Sequence, residues 1–300
     1  NLVALVLSVF FLRRLGTRLF GRADAGWLAA GLYVSTLLPF ALLRDKRIDP
    51  LFSALLLGAF DCYHAALTGY APSRARLGNW LGVGVLLAAA TLTKGPLAFV
   101  FFVAVALAHA AWAGRLRALA TRDALAAAAL WLALVAIWPL AMLHDVGWPA
   151  WSQRFSERGL VTRFAGPLHY VANLPLRLAP WSLLLPALAL ALRPLLRGAG
   201  GAALRFPVSW FGVIFTLLHV TSARHSRYLL PALPAVSLLC LALWITPPHG
   251  VSAVLAPRVR KVRDAALAVV LGLGVLAGIT GPFVPIWVPA APSVWAALVL

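Results

Sequence analysis

Four short stretches hold most of the side chains able to do chemistry. Arg47-Ile48-Asp49-Pro50 puts a carboxylate beside a cation, with Arg44, Asp45 and Lys46 just before it. Thr91-Leu92-Thr93-Lys94-Gly95-Pro96 sets a lysine between two apolar runs. His169-Tyr170 lies in an aromatic-rich stretch, and Thr221–Pro231 contains Arg224, His225, Arg227 and Tyr228. Arginine suits bidentate recognition of phosphate. A sugar transferred from a lipid phosphate leaves behind an anion that is already acidic. Cations can stabilise that anion without a general acid, and a carboxylate is needed to deprotonate the acceptor hydroxyl. Cations, aromatic rings and a few acids at a membrane edge are what such a phosphate or pyrophosphate substrate requires.

Each of these residues also has a plainer explanation. Asp49 precedes Pro50 and would serve as a helix N-cap. Arg44 and Arg47 would contact lipid headgroups, as would the cations of Thr221–Pro231. Lys94 must either snorkel to the interface or find an anion. With only eight acids in the chain, the remaining candidates are soon exhausted. Asp24, Asp123 and Asp264 stand at helix starts, where the dipole favours a negative charge. Asp61 and His64 are three apart inside an apolar run and share a helix face, as a satisfied structural pair or a functional one. Cys62 and Cys240 lie in apolar runs without metal-ligand spacing and read as buried hydrophobes. Neither a metal nor a cofactor is expected.

The elements that position these residues follow from composition. Of 300 residues, 62% are hydrophobic and only 11% charged, against about 25% charged in soluble domains. Too little polar surface exists to cover a soluble globule, and the chain is too apolar for disorder. The 12 Trp, 23 Gly and 21 Pro suit a membrane protein. A net charge of +18 would fit nucleic acid, but the cations clump between long apolar runs, which points to the bilayer as partner and not to nucleic acid.

The runs predict an all-α, polytopic transmembrane bundle in one domain over 1–300, with about nine complete spans and two truncated ones by the usual length criterion. The runs are Leu2–Leu12, Trp27–Leu43, Leu51–Leu67, Trp80–Leu92, Leu97–Trp112, Leu125–Leu143, Trp181–Leu192, Pro207–Val220, Leu229–Ile245, Ala265–Ile279 and one from near Trp295. Trp80–Trp112 is too long for one crossing, and Lys94-Gly95-Pro96 divides it. Residues 144–180 form an outer loop with an interfacial helix near Trp151–Arg158. The short first and last runs lead us to expect a domain incomplete at both ends.

This division makes the loops alternate. Sixteen of the 26 basic residues fall on one side, among them Arg14, Arg18, Arg115 and Arg205, and set it as cytoplasmic. Ten fall outside, more than orientation alone would place there, and they suggest an anionic lipid substrate.

In these motifs, their order and their spacing, the chain resembles the membrane glycosyltransferases of the aminoarabinose-transferase and protein O-mannosyltransferase type, in the GT-C superfamily. The matching stretches are Arg47–Pro50, Leu92–Pro96, the loop with His169-Tyr170 and Pro180-Trp181, and Ser222…His225…Arg227–Pro231. The resemblance covers most of the chain. It implies a GT-C-like bundle in the bacterial inner membrane, with an active site facing the periplasm. It further implies transfer of a sugar from a polyprenyl-phosphate donor to a lipid or protein acceptor. Asp49 matches the second outer acid of the family; the principal acid belongs to a first outer loop that would precede Asn1. Lys94, Arg227 and Tyr228 match positions near the lipid phosphate. Arg47, His169, Tyr170 and His225 join them as substrate-binding candidates, although His225 stands where the family often has Lys or Arg. A multi-pass transporter or lipid flippase is the competing reading. It calls for ionisable residues at mid-membrane and repeated halves, whereas only Asp61 and His64 lie within a span.

Overall fold

A computed structural model describes residues 1–42, 46–68, 73–157, 168–198, 200–220, 225–245 and 257–280. Every element among the described residues is helical. Twelve α-helices follow in order: α1 (Leu2–Phe20), α2 (Ala23–Val34), α3 (Leu37–Leu42), α4 (Asp49–Thr68), α5 (Ser73–Lys94), α6 (Leu97–Trp112), α7 (Arg122–Glu157), α8 (His169–Leu178), α9 (Leu185–Arg197), α10 (Gly201–Val220), α11 (Leu233–Leu241) and α12 (Pro257–Thr280). Short 3-10 helices cover Leu116–Ala120, Trp181–Leu184 and Ser226–Ala232.

Local sequence explains several boundaries. Gly21 ends α1 in the left-handed conformation, at φ 67°, which costs glycine nothing. Gly95 does the same after α5, at φ 85°, and Pro96 cannot continue the preceding helix. The expected break at Lys94-Gly95-Pro96 is therefore present, and it leaves Lys94 on the last turn of α5.

Other runs differ from their sequence expectation. Trp27–Leu43 is not one helix. It breaks at Ser35 and Thr36, whose hydroxyls donate to the carbonyls of Gly31 and Leu32, at 2.6 and 2.8 Å. Side chains that bond back to the previous turn compete with helix continuation. The break is a docking point: the Leu37 N–H donates to the Ala179 carbonyl at 2.8 Å, and Trp181 Nε1 donates to Ser35 Oγ at 2.8 Å. The chain from α8 into Trp181–Arg197 bends by 110° at this point.

The separate interfacial helix expected near Trp151–Arg158 is instead the distal part of α7, which continues to Glu157. The helix runs through Gly147 and Pro149, although an interior proline removes a helix hydrogen bond. At 36 residues, α7 is roughly 54 Å long, well beyond a hydrocarbon core of about 30 Å. Residues 158–167 lie outside the described residues.

Among the described residues, four stretches are long and apolar enough to cross a membrane: Asp49–Leu67, Arg74–Lys94, Arg122–Asp145 and Gly201–Val220. The bent pair α8 and Trp181–Arg197 would make five. The expectation of about nine complete spans exceeds this number because apolar runs such as Trp27–Leu43 and Leu229–Ile245 are broken into shorter pieces. The span expected near Trp295 falls outside the described residues.

α4 is the buried centre. Its Phe60 stacks on Phe102 of α6 and lies 4.7 Å, centroid to centroid, from Trp210 of α10. Tyr63 donates to the Ala106 carbonyl at 3.0 Å. Trp210 Nε1 donates to the Pro231 carbonyl at 3.0 Å, which ties α10 to the 3-10 turn Ser226–Ala232. α7, by contrast, turns Leu125, Leu132, Ile137 and Leu140 outward, as a lipid-facing helix does.

α1 and α2 approach through glycine. A Cβ on Gly26 would meet the Arg13 carbonyl oxygen at 2.2 Å and Thr17 Oγ1 at 2.4 Å. Close backbone approach of this kind needs small residues at the crossing. Gly26→Val is expected to lower the unfolding temperature of the detergent-solubilised protein by about 5 °C, through overpacking. An unchanged melting curve would refute the tight crossing.

Candidate functional site

Three elements far apart in sequence deliver one cluster. Asp49 opens α4, where Pro50 suits the first turn. Lys94 closes α5, on the last turn before the Gly95-Pro96 break. Arg227 and Tyr228 lie in the 3-10 helix Ser226–Ala232, whose apolar half (Leu229 to Ala232) is buried and held by the Trp210 bond described above.

Asp49 is 5% exposed, and both its oxygens are engaged. Lys94 Nζ donates to Asp49 Oδ1, and Arg227 Nε lies 3.7 Å from Oδ2. The carboxylate thus bridges two cations, and its role goes beyond capping a helix. Lys94 is held by an anion and by rings: its Nζ sits 4.3 Å from the Tyr228 ring centroid and 5.1 Å from that of Phe52. Arg227 Cζ lies 5.4 Å from the same Tyr228 ring. Tyr228 therefore touches both cations with its negative face.

These groups line a cavity of about 530 Å³, walled by Lys46, Arg47, Ile48, Asp49, Lys94, Arg227 and Tyr228. Four cations face one carboxylate. A partly desolvated cluster with that excess of positive charge attracts an anion and holds it with charge-assisted hydrogen bonds. The single carboxylate, fixed between two cations, is the only described group in this cavity able to accept a proton as a base.

The structure therefore brings together Arg47, Asp49, Lys94, Arg227 and Tyr228. His225 adjoins them: its ring meets Tyr228 edge-on at 5.3 Å. Burial holds its imidazole below the ordinary pKa, and Arg227, Arg47 and His169 push it further down, against a smaller upward pull from Asp49. It offers a neutral imidazole near pH 7, where a lysine or arginine would carry a fixed charge. His169 reaches the site through this influence on His225 and does not line the described cavity.

Tyr170 does not line it either. It is fully buried, with its ring 5.4 Å from that of His219 on α10. The 3.6-residue period of α8 turns it into the helix packing, although it follows His169 directly. Arg44, Asp45 and Arg224 lie outside the described residues.

Asp61 and His64 are not a pair with each other. Arg18 donates to the Asp61 carboxylate and, at 2.7 Å, to the Asp61 main-chain carbonyl, and Arg14 Nε lies 3.4 Å from Asp61 Oδ2. Arg177, one of the ten outer cations, was not singled out by any motif. It is 2% exposed on α8, and its Nε has no hydrogen-bond partner among the described residues. Its seven-residue spacing from buried Tyr170 was the available signal, since both fall on one helix face.

No family model matches the chain. It is 28% identical over 255 residues to the undecaprenyl phosphate-alpha-4-amino-4-deoxy-L-arabinose arabinosyl transferase of Yersinia enterocolitica, and the match covers 81% of this chain and 44% of that protein. The enzyme of the same name from Pseudomonas aeruginosa is 30% identical over 252 residues, covering 80% of this chain and 44% of the relative. The chain thus spans less than half the length of the curated relatives it matches. Crystal structures of ArnT from Cupriavidus metallidurans share the fold. The apo form superposes with a TM-score of 0.68 at 20% identity, covering 92% of this chain and 48% of that one. The form bound to undecaprenyl phosphate gives 0.68 at 18% identity, covering 92% and 49%. The likeness in sequence and in fold agrees with the resemblance carried by the motifs.

Proposed function

We propose that the chain is the membrane domain of a glycosyltransferase that moves a sugar from a polyprenyl phosphate to a lipid acceptor of the lipid A type, or to a protein. The observation that carries this reading is the convergence of Asp49, Lys94, Arg227 and Tyr228 on one cavity. The names of the relatives support undecaprenyl phosphate as carrier and 4-amino-4-deoxy-L-arabinose as the sugar.

In this reading residues 1–300 form one domain of about nine crossings in a bacterial inner membrane, and the Asp49 cavity opens to the periplasm. Lys94 and Arg227 bind the donor phosphate and stabilise the charge it gains as the sugar leaves. Arg47 and His225 border the phosphate, and His169 tunes His225. Asp49 orients the acceptor hydroxyl and takes its proton. Tyr228 holds the two cations side by side against their mutual repulsion. Asp61, tied up by Arg14 and Arg18, is no mid-membrane carrier group, which disfavours a transporter.

The direct test incubates the full-length protein, reconstituted in liposomes, with radiolabelled undecaprenyl-phosphate sugars and both acceptor classes. Label appearing in an acceptor supports the reading, and no transfer with any pair overturns it. Tyr228→Leu is expected to cut kcat/KM by roughly tenfold, the scale of a desolvated cation–π contact. Tyr228→Phe keeps the ring and should stay within about threefold. Equal losses in both variants would assign the effect to the hydroxyl instead.

A further inference from the structure

A second cavity, of about 740 Å³, lies at the other end of the bundle. It is walled by Arg14, Arg18, His64, His109, Arg115 and Arg205, among others. Its distance from the first follows from helix geometry. His64 comes 15 residues after Asp49 on α4, and so lies roughly 22 Å along the helix axis. Arg14 and Arg18 come from α1, Arg115 from the turn after α6, and Arg205 from α10.

The arginines are held in place. Arg18 and Arg14 flank Asp61. Arg115 Nη1 donates to the Leu67 carbonyl, and Arg205 Nη1 lies 3.5 Å from the Trp112 carbonyl. Each guanidinium has five N–H donors, so these anchors leave most of them uncommitted. Among the described residues Asp61 is the sole carboxylate paired with any of the four. Orientation in the membrane needs cations somewhere on this side. It does not need four of them, from two helices and a turn, to converge on one concave wall, where their mutual repulsion is unfavourable unless an anion is bound.

We infer that this cavity is a second anion site, which takes a phosphate group at the end of the bundle opposite Asp49. Planar guanidinium forks match phosphate oxygens in pairs, and the two imidazoles on the wall add single hydrogen bonds. The phosphate could belong to an anionic lipid headgroup or be free in solution. The inference does not depend on the glycosyltransferase reading.

The test uses the full chain carrying Lys94→Ala, which weakens the first cavity as an anion site, and native mass spectrometry from detergent. Phosphatidylglycerol should remain bound in preference to phosphatidylcholine. Adding Arg115→Gln and Arg205→Gln should lower its retention at least about tenfold, the loss expected when charge-assisted bonds go. Ala202→Trp fills the cavity from an exposed position with every charge kept, and should give the same loss even if the double variant folds poorly. Displacement of the lipid by inorganic pyrophosphate would identify a site open to free phosphate, and resistance to it a lipid headgroup site. Equal retention of phosphatidylglycerol in the parent and the Ala202→Trp protein would overturn the proposal. So would equal retention of the two lipids.

Discussion

Lys94→Ala is expected to lower transfer by the full-length protein at least about a hundredfold, mainly through weaker engagement of the donor. Lys94 is the cation closest to the centre of the cluster, bonded to Asp49 and set against the Tyr228 and Phe52 rings. Removing a preorganised group that faces developing charge costs on the order of 3 kcal/mol or more. Arg227 cannot replace it, since its Nε already stands 3.7 Å from Asp49. The residual activity should show a raised KM for the polyprenyl-phosphate sugar as well as a lowered kcat, because the phosphate is present in both ground and transition states. Expression should be unaffected, since Lys94 ends a helix at the edge of the core and Arg227 still stands beside Asp49. Wild-type turnover in this variant would sink the assignment.

Asp49→Asn separates the two roles within the site. The amide keeps the size and the helix start but cannot take a proton. Turnover should fall by about three orders of magnitude, within the range of lost general-base catalysis. Donor binding should hold or tighten, because Lys94 and Arg227 lose the carboxylate that now competes with phosphate for them. The two variants therefore predict opposite movements of donor affinity. That contrast distinguishes a catalytic carboxylate from one that merely positions cations, for which kcat would recover at saturating donor. The assay is label transfer from radiolabelled undecaprenyl-phosphate sugar, run across donor concentrations.

Much of the cluster was legible from residue types alone. Asp49 before Pro50, Lys94 before Gly95-Pro96, and Arg227-Tyr228 before a buried apolar run each lie at a helix boundary with a local signal. Boundary signals of proline and glycine act within a few residues. Where local signals compete, sequence expectation and structure differ. Ser35 and Thr36 broke an apolar run that composition made continuous. α7 ran on past His144, where polar residues suggested a loop. Tyr170, next to His169, turned to the opposite surroundings because a helix rotates neighbouring residues by about 100°.

Sequence by itself determined that the chain is apolar, helical and charged in clumps, and where several helices stop, because hydropathy and backbone preference are local properties. It also supplied the residue types that phosphate chemistry requires. Only the tertiary structure decided which of them meet. Asp49 and Lys94 are 45 residues apart and Arg227 lies far beyond both, yet one cavity holds all three. Asp61 found Arg14 and Arg18 in place of its helix neighbour His64. Four arginines on the side assigned as cytoplasmic by charge line a second cavity. Which charges pair depends on how helices cross, and crossings are set by packing at places such as Gly26, where the deciding distances run between segments that no local pattern connects.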